Sequence, residues 1–271
     1  MKYMFKWRLW VIVFLSTLGF IVKFIGGYLY CSKALFVDAL TNIANIIALV
    51  ATVYYYLKAY IPPDSDHHFG HYRLGFAGTL ITIIIYAFIA GVVVCDLLHV
   101  REYTVKQEAP ILALLGLLLY SSVVYLSRTV SEYLTVYGLF TVSEVLESII
   151  VIVASALGYL YTYIIDYVGA TIIALYILYE LQHHLKYIIK LLSDIAPPVK
   201  LVNSVRMTVE KYGVKVKRIR LRLVKNGLYQ GDIVVSFPPN TTVKEAHEIS
   251  NMIERELKDK YNVDVVVHIE P

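Results

Sequence analysis

Six long apolar stretches fill the first part of the chain, and short polar segments separate them. Residues 9–30 form an apolar run broken only by Lys23, and residues 74–95 and 109–127 carry no charge at all. A fifth stretch starts near Tyr133 and runs uncharged from 148 to 165. The second, about 34–58, contains Asp38, Asn42 and Asn45, and the sixth, about 167–189, gains charge only at Glu180 and Lys186. Each is long enough, as a helix, to cross about 30 Å of hydrocarbon. The first run is too long for the core of a cleaved leader and reads as a retained helix. The fifth and sixth helices are expected to meet in a tight turn around Asp166.

The pattern changes after Asp194-Ile195-Ala196-Pro197-Pro198, where proline stops the sixth helix. Val202, Val205, Val209 and Tyr212 recur at helical spacing over 199–211, and residues 216–224 alternate as a half-buried strand. Asn226-Gly227 signals a hairpin. A second strand is expected at 229–237, then a helix over 242–259 capped by Thr241 or Thr242, then a last strand over 263–269. The order αββαβ predicts a small two-layer α+β fold. The expected organisation is a six-helix bundle over 1–195 and a tail domain over 196–271.

Composition turns this pattern into a class. The 271 residues are 58% hydrophobic and 17% charged, whereas soluble domains average roughly 45–50% and about 25%. This balance argues against a soluble enzyme. A disordered or collagen-like chain is excluded outright, with 8 Pro and 14 Gly. Cys31 and Cys95 form neither a disulfide framework nor a CxxC pair. Residues 1–198 hold twelve Lys/Arg and twelve Asp/Glu, and residues 199–271 hold thirteen and nine, so the excess charge is in the tail. With the N-terminus in the cytoplasm, Lys2, Lys6, Arg8, Lys58, Arg73, Arg128, Lys186 and Lys190 lie inside; only Lys33, Arg101 and Lys106 lie outside. That asymmetry orients a multi-pass protein of the cell membrane, and six spans return the tail to the cytoplasm. The basic strand 217–222 lacks interleaved aromatics, so it reads as a solvated sheet face and not as a nucleic-acid surface.

Polar groups at membrane depth carry the chemistry. A carboxylate at the bilayer centre costs roughly 2.5–3.5 kcal/mol on insertion scales, so one found there usually has a function. Asp38 and Asn42 are four apart and share a helical face, which Asn45 extends; Ser143 and Glu147 repeat the spacing in the fifth span, with Glu144 alongside. Two helices that each present such an oxygen pair close a four-ligand cation cage between them. Asn42 and Ser143 alone would also serve as interhelical hydrogen-bond glue; that role does not require the charges of Asp38 and Glu147. In the loop Pro62-Pro63-Asp64-Ser65-Asp66-His67-His68-Phe69-Gly70-His71, the residues Asp64, His67 and His71 have i, i+3, i+7 spacing. Imidazole and carboxylate are ligands for zinc and its neighbours, and this spacing suits one face of a turn entering a helix.

These residues resemble a known family. Ser32 through Asn42 is similar to the second-helix signature of the cation diffusion facilitators, and Asp64 through His71 to their cytoplasmic-loop motif. Glu147, Ala154 through Gly158, Asp166, Asp194 through Pro197, Glu245-Ala246-His247 and Val267 through Pro271 continue the match in order. The resemblance implies a homodimeric, proton-coupled antiporter that exports divalent transition metals through a tetrahedral site between helices two and five. It implies a ferredoxin-like cytoplasmic domain that dimerises and senses metal, with His247, His268 and Glu270 at ligand positions. Val235 stands where a further histidine would sit, so one metal site there is expected and not two. No prosthetic group and no enzymatic activity are implied.

The sequence departs from the family where selectivity is set. Zinc-type members usually carry His or Asp in the second span, and His then Asp in the fifth; here the four positions are Asp38, Asn42, Ser143 and Glu147. An oxygen-only cage favours Mn²⁺ or Fe²⁺ over Zn²⁺, although raw affinity still favours zinc. With no cage histidine, the exchanged protons fall to Asp38 and Glu147. Arg73 and Asp194, at the cytoplasmic edges of spans three and six, are expected to pair. Asn42 and Ser143 keep a rival alive, a non-transporting membrane metal sensor or scaffold. A hydrolase built on Asp64, His67 and His71 lacks a nucleophile other than Ser65 and any phosphate cradle.

Overall fold

In the computed structural model the described residues are 2–99, 101–130, 133–225 and 227–270; the side chains of 2–6, 8, 9 and 127–143 lie outside the description. Six long helices come first: α1 (Lys2–Tyr28), α2 (Lys33–Lys58), α3 (Leu74–Leu98), α4 (Glu108–Val130), α5 (Tyr133–Leu160) and α6 (Tyr163–Leu192). Among the described residues, α1, α2, α3, α4 and α6 each contain a window long and apolar enough to cross a membrane. The α5 helix has the length, at 28 residues.

The helix bundle is held by small and branched apolar residues from α2 to α6, among them Ala34, Val37, Ala44, Val93, Ala113, Val151, Ala154, Ala170 and Ile173. Lipid is as apolar as the core, so close backbone approach and polar contacts, and not hydrophobic burial, hold such helices together. At Gly27 a Cβ would lie 2.5 Å from the backbone of Phe36, which lets α1 and α2 meet. Asp166 departs from expectation. The α5–α6 connection falls at Tyr161–Thr162, and Asp166 sits in the first turn of α6. Its carboxylate accepts from Ser32 Oγ at 2.7 Å, from the backbone N–H of Lys33 at 2.6 Å and of Ala34 at 3.4 Å, and from the Tyr103 hydroxyl at 3.0 Å. Ser32 caps α2 in turn by accepting from Leu35 N at 3.2 Å. The free N–H groups that open every helix are thus met at α2 by an acid from α6.

After α6 the fold is α7 (Val199–Glu210), β1 (Lys215–Lys225), β2 (Leu228–Ser236), α8 (Val243–Tyr261) and β3 (Val263–Glu270), the expected αββαβ order. The sheet order is β1-β2-β3, with β1 and β2 antiparallel and β2 and β3 parallel. Val205 and Val209 of α7 and Ile253 and Leu257 of α8 bury one face of the sheet against Val216, Ile233, Val235, Val263, Val265 and Val267. On the strand read as basic, Arg220 is ion-paired with its cross-strand neighbour Asp232 at 2.9 Å, and Arg222 with Asp194 at 3.2 Å.

Thr242 caps α8 with a full capping box: its hydroxyl accepts from Glu245 N at 3.2 Å, and the Glu245 carboxylate accepts from Thr242 N at 2.8 Å. The Thr242 backbone N–H, and after it the Thr242 hydroxyl, donate to the Glu245 carboxyl and hold it below its ordinary range. Thr242→Ala lowers the stability of this domain by about 1 kcal/mol, read as an earlier unfolding transition in denaturant.

By its contacts the chain divides into two compact units, Met1–Tyr56 with Ala77–Leu185, and Leu57–Phe76 with Lys186–Pro271. Sequence placed the division between 195 and 196; contacts group the α2–α3 loop and the end of α6 with the tail. Within this second unit Arg73 Nη2 pairs with Asp194 Oδ1 at 2.8 Å and Leu223 N donates to Ile195 O at 3.0 Å. The Lys225 ammonium lies over the Tyr60 ring, 3.1 Å from its centre. Asp194 adopts φ 55° just past the end of α6, a left-handed position that aspartate tolerates. The Arg73–Asp194 pair is nearly half exposed on both sides, so it orients the chain more than it stabilises it.

Candidate metal sites

Of the residues singled out in the second and fifth spans, Asp38 and Asn42 on α2 and Glu144 and Glu147 on α5 are buried in the first unit, as is Ser148 on α5. Helical spacing puts Asp38 and Asn42 one above the other, and Glu144 and Ser148 likewise. Three carboxylates therefore stand in a region from which solvent is excluded. Asp38 Oδ2, Glu144 Oε1 and Glu147 Oε2 have no hydrogen-bond partner among the described residues. Glu147 feels the charges of Glu144, Asp38 and Glu180 as well as that of Lys23. Buried oxygens left unmatched in this way are what a cation would satisfy. The side chain of Ser143 lies outside the described residues.

In the sequence Lys23 is only an interruption of an apolar run. In the structure it is fully buried, with Nζ 2.9 Å from Asp38 Oδ1 and 3.1 Å from Ser148 Oγ. The orientation of the Asn42 amide that satisfies both its neighbours has the oxygen accepting from Lys23 Nζ at 2.9 Å and the nitrogen donating to Glu144 Oε2 at 2.8 Å. Glu144, first seen as a neighbour of the site, thus shares a hydrogen-bond network with Asn42. The signal that could have found Lys23 is charge: three acids in two spans call for a cation, and Lys23 is the one charge in its run. Asn45, the next turn of α2, donates to the Tyr120 hydroxyl at 3.2 Å and accepts from the Tyr86 hydroxyl, which ties α2 to α4 and α3.

The loop cluster also comes together. Ligand atoms of Asp64, His67 and His71 all lie within 4.8 Å of one another. Asp64 Oδ1 accepts from the backbone of Asp66 at 3.0 Å and of His67 at 2.8 Å. These backbone donors, His67 first, hold the Asp64 carboxyl below its ordinary range and favour its anionic form. His67 Nδ1 and His71 Nε2 each approach Asp64 to 3.4 Å, and the two rings lie 4.2 Å apart between centres. The α3 helix starts at Leu74, just beyond His71, so the three are gathered on the Asp-centred turn that leads into it.

The structure does not gather the three tail positions. Among the described residues, Asp64, His67 and His71 form the one group of three or more metal-ligating side chains at such distances. His247 lies exposed on α8, 3.2 Å from the Asn251 amide; His268 is exposed on β3; Glu270 pairs with Lys217 at 3.3 Å. The Lys217 pair engages Glu270, and helix and strand hold the two histidines on separate elements.

A bundle with buried acids on two helices, followed by an αββαβ domain, defines a membrane transporter of cations. Residues 9–193 match the model of the cation efflux transmembrane domain, and residues 188–271 that of the cation efflux protein cytoplasmic domain. The chain belongs to this family, the cation diffusion facilitators, and is a multi-pass membrane transporter of metal cations. It is 30% identical over 263 residues to the manganese efflux system protein MneS of Bacillus subtilis (strain 168), covering 92% of this chain and 90% of that one. It is 22% identical over 269 residues to the manganese efflux system protein MneP of the same organism, again over 92% and 90%. The metal tolerance protein C1 of Arabidopsis thaliana is 22% identical over 280 residues, covering 93% of this chain and 59% of its own length.

Proposed function

We propose that the chain exports Mn²⁺, with Fe²⁺ as the next-best ion and Zn²⁺ disfavoured, in exchange for protons. The observation that carries this reading is the donor set: Asp38, Asn42, Ser143 and Glu147, with Glu144 alongside, offer oxygen and neither imidazole nor thiolate. Such a set suits hard divalent ions; softer ligands are what normally select zinc. The names of two relatives, both manganese efflux proteins, point the same way. Asp38, Asn42, Ser143 and Glu147 form the transport site, and Asp64, His67 and His71 a second metal site on the cytoplasmic side. The termini are cytoplasmic, and two copies pair through the αββαβ domain. His247, His268 and Glu270 enter metal sensing only after Glu270 leaves Lys217.

Protons reach the buried acids when metal leaves, because anionic ligands stripped of a cation are costly away from water. The test is flux into proteoliposomes offered Mn²⁺, Fe²⁺, Co²⁺, Zn²⁺ and Cd²⁺ in turn. Mn²⁺ uptake accelerates when the lumen is acid relative to the outside, since protons then leave as metal enters, and slows when the gradient is reversed. Zinc transported ahead of manganese rejects the metal assignment. Flux indifferent to the gradient rejects the proton coupling.

A further inference from the structure

Lys23 has no part in a cage of metal-binding oxygens, yet the fold makes a place for it. A Cβ on Gly116 of α4 would lie 2.8 Å from both Cγ and Cε of Lys23, so this glycine opens the hollow in which the lysine stem lies. The ring of Tyr120, one turn further along α4, has its centre 5.2 Å from Nζ, a distance at which an aromatic face attracts a cation. Nζ then reaches Asp38 Oδ1 at 2.9 Å and Ser148 Oγ at 3.1 Å, and with Asn42 oriented as above its amide oxygen at 2.9 Å. A fully buried ammonium held by a carboxylate and two neutral oxygens has the surroundings of a bound cation.

Two of those oxygens belong to residues assigned to the transported ion. A divalent ion held by Asp38 and Asn42 and an ammonium on the same atoms would repel each other in a site with little water to screen them. Meanwhile Asp38 Oδ2, Glu144 Oε1 and Glu147 Oε2 remain without partners among the described residues, so a single ammonium does not exhaust the site. We propose that Lys23 is a tethered counter-cation, which alternates with the transported ion on Asp38 and Asn42 and is displaced from them each time metal binds. This inference rests on the placement of the transport site between α2 and α5 and adds a residue that sets its affinity. The ammonium competes with metal, which lowers affinity, and it neutralises the emptied site, which lets the carrier return.

The prediction separates binding from turnover. In the full chain Lys23→Met, which keeps the length of the stem without its charge, lowers the Kd for Mn²⁺ at least about tenfold in isothermal titration, because no competitor has to be displaced. Net Mn²⁺ flux in proteoliposomes falls at least about tenfold, while Mn²⁺-for-Mn²⁺ exchange, which never needs the emptied carrier to return, stays within about twofold of wild type. An unchanged or weaker Mn²⁺ affinity in folded protein overturns the proposal, as does a parallel loss of net flux and exchange. If Lys23→Met does not fold, the wild-type chain decides. A structure with Mn²⁺ bound shows Nζ withdrawn beyond about 3.5 Å from Asp38, and an ammonium still at the 2.9 Å seen here overturns the idea. Asp38→Ala with undiminished Mn²⁺ flux would instead overturn the placement of the transport site itself.

Discussion

Replacing Asp38 with alanine lowers Mn²⁺ flux in proteoliposomes by at least about a hundredfold. Asp38 is the acid of α2 in the site, fully buried, and its two oxygens face different tasks: Oδ1 accepts from Lys23, and Oδ2 has no partner among the described residues. Removing the carboxylate takes away a proposed ligand and leaves the buried Lys23 ammonium with neutral partners alone. Removing one half of a buried ion pair costs far more than the pair contributes. Part of the loss therefore belongs to folding, and a second variant isolates the rest. Lys23→Met combined with Asp38→Asn removes both charges together, so its melting temperature recovers toward wild type while its flux stays absent. A double variant that transported Mn²⁺ would show that Asp38 serves the fold alone.

Asp166→Ala has the largest expected effect on stability. Four donors converge on this carboxylate: the Ser32 hydroxyl, two backbone N–H groups at the start of α2, and the Tyr103 hydroxyl. Burial leaves water little opportunity to replace it, so the loss is about 3 kcal/mol or more, seen as a fall of about 6 °C or more in the melting temperature. Asp166→Asn recovers less than half of that, because its amide presents N–H to groups that are themselves donors. Flux measured below the melting transition falls less than in Asp38→Ala, since no ligand has been removed. An alanine variant melting with wild type would show that the first turn of α2 is solvated by other means.

What could be read from the sequence, and what could not, divides along the range of the interactions. Period 3.6 and period 2 are local signals, so the six helices and the αββαβ order follow from neighbouring residues, as does a cap at Thr241 or Thr242, which the structure places at Thr242. The pairs Asp38/Asn42 and Ser143/Glu147 and the loop triad are also local, defined by spacing on one element. Lys23 escaped because its partners are 15 and 125 positions away and a lone charge in an apolar run looks like a blemish. Asp166 escaped for the same reason: read as the turn between two helices, it bonds a serine 134 positions earlier. The tail triad shows the converse. His247, His268 and Glu270 sit at positions a family resemblance selects, and the partners that engage Glu270 and His247, Lys217 and Asn251, are not part of any motif.

The loop that carries Asp64, His67 and His71 belongs by its contacts to the same compact unit as the αββαβ domain. Anything that binds the folded form of a unit and not its unfolded form raises its stability in proportion to the logarithm of ligand concentration, by about 2.7 kcal/mol at a hundred times the dissociation constant. Metal held by the loop triad would therefore be registered as resistance to unfolding throughout Leu57–Phe76 and Lys186–Pro271, ring contacts to Tyr60 and the Arg73–Asp194–Arg222 chain included. The melting of that unit would then serve as a thermometer of metal, graduated by three side chains that belong to the α2–α3 loop and not to the αββαβ domain.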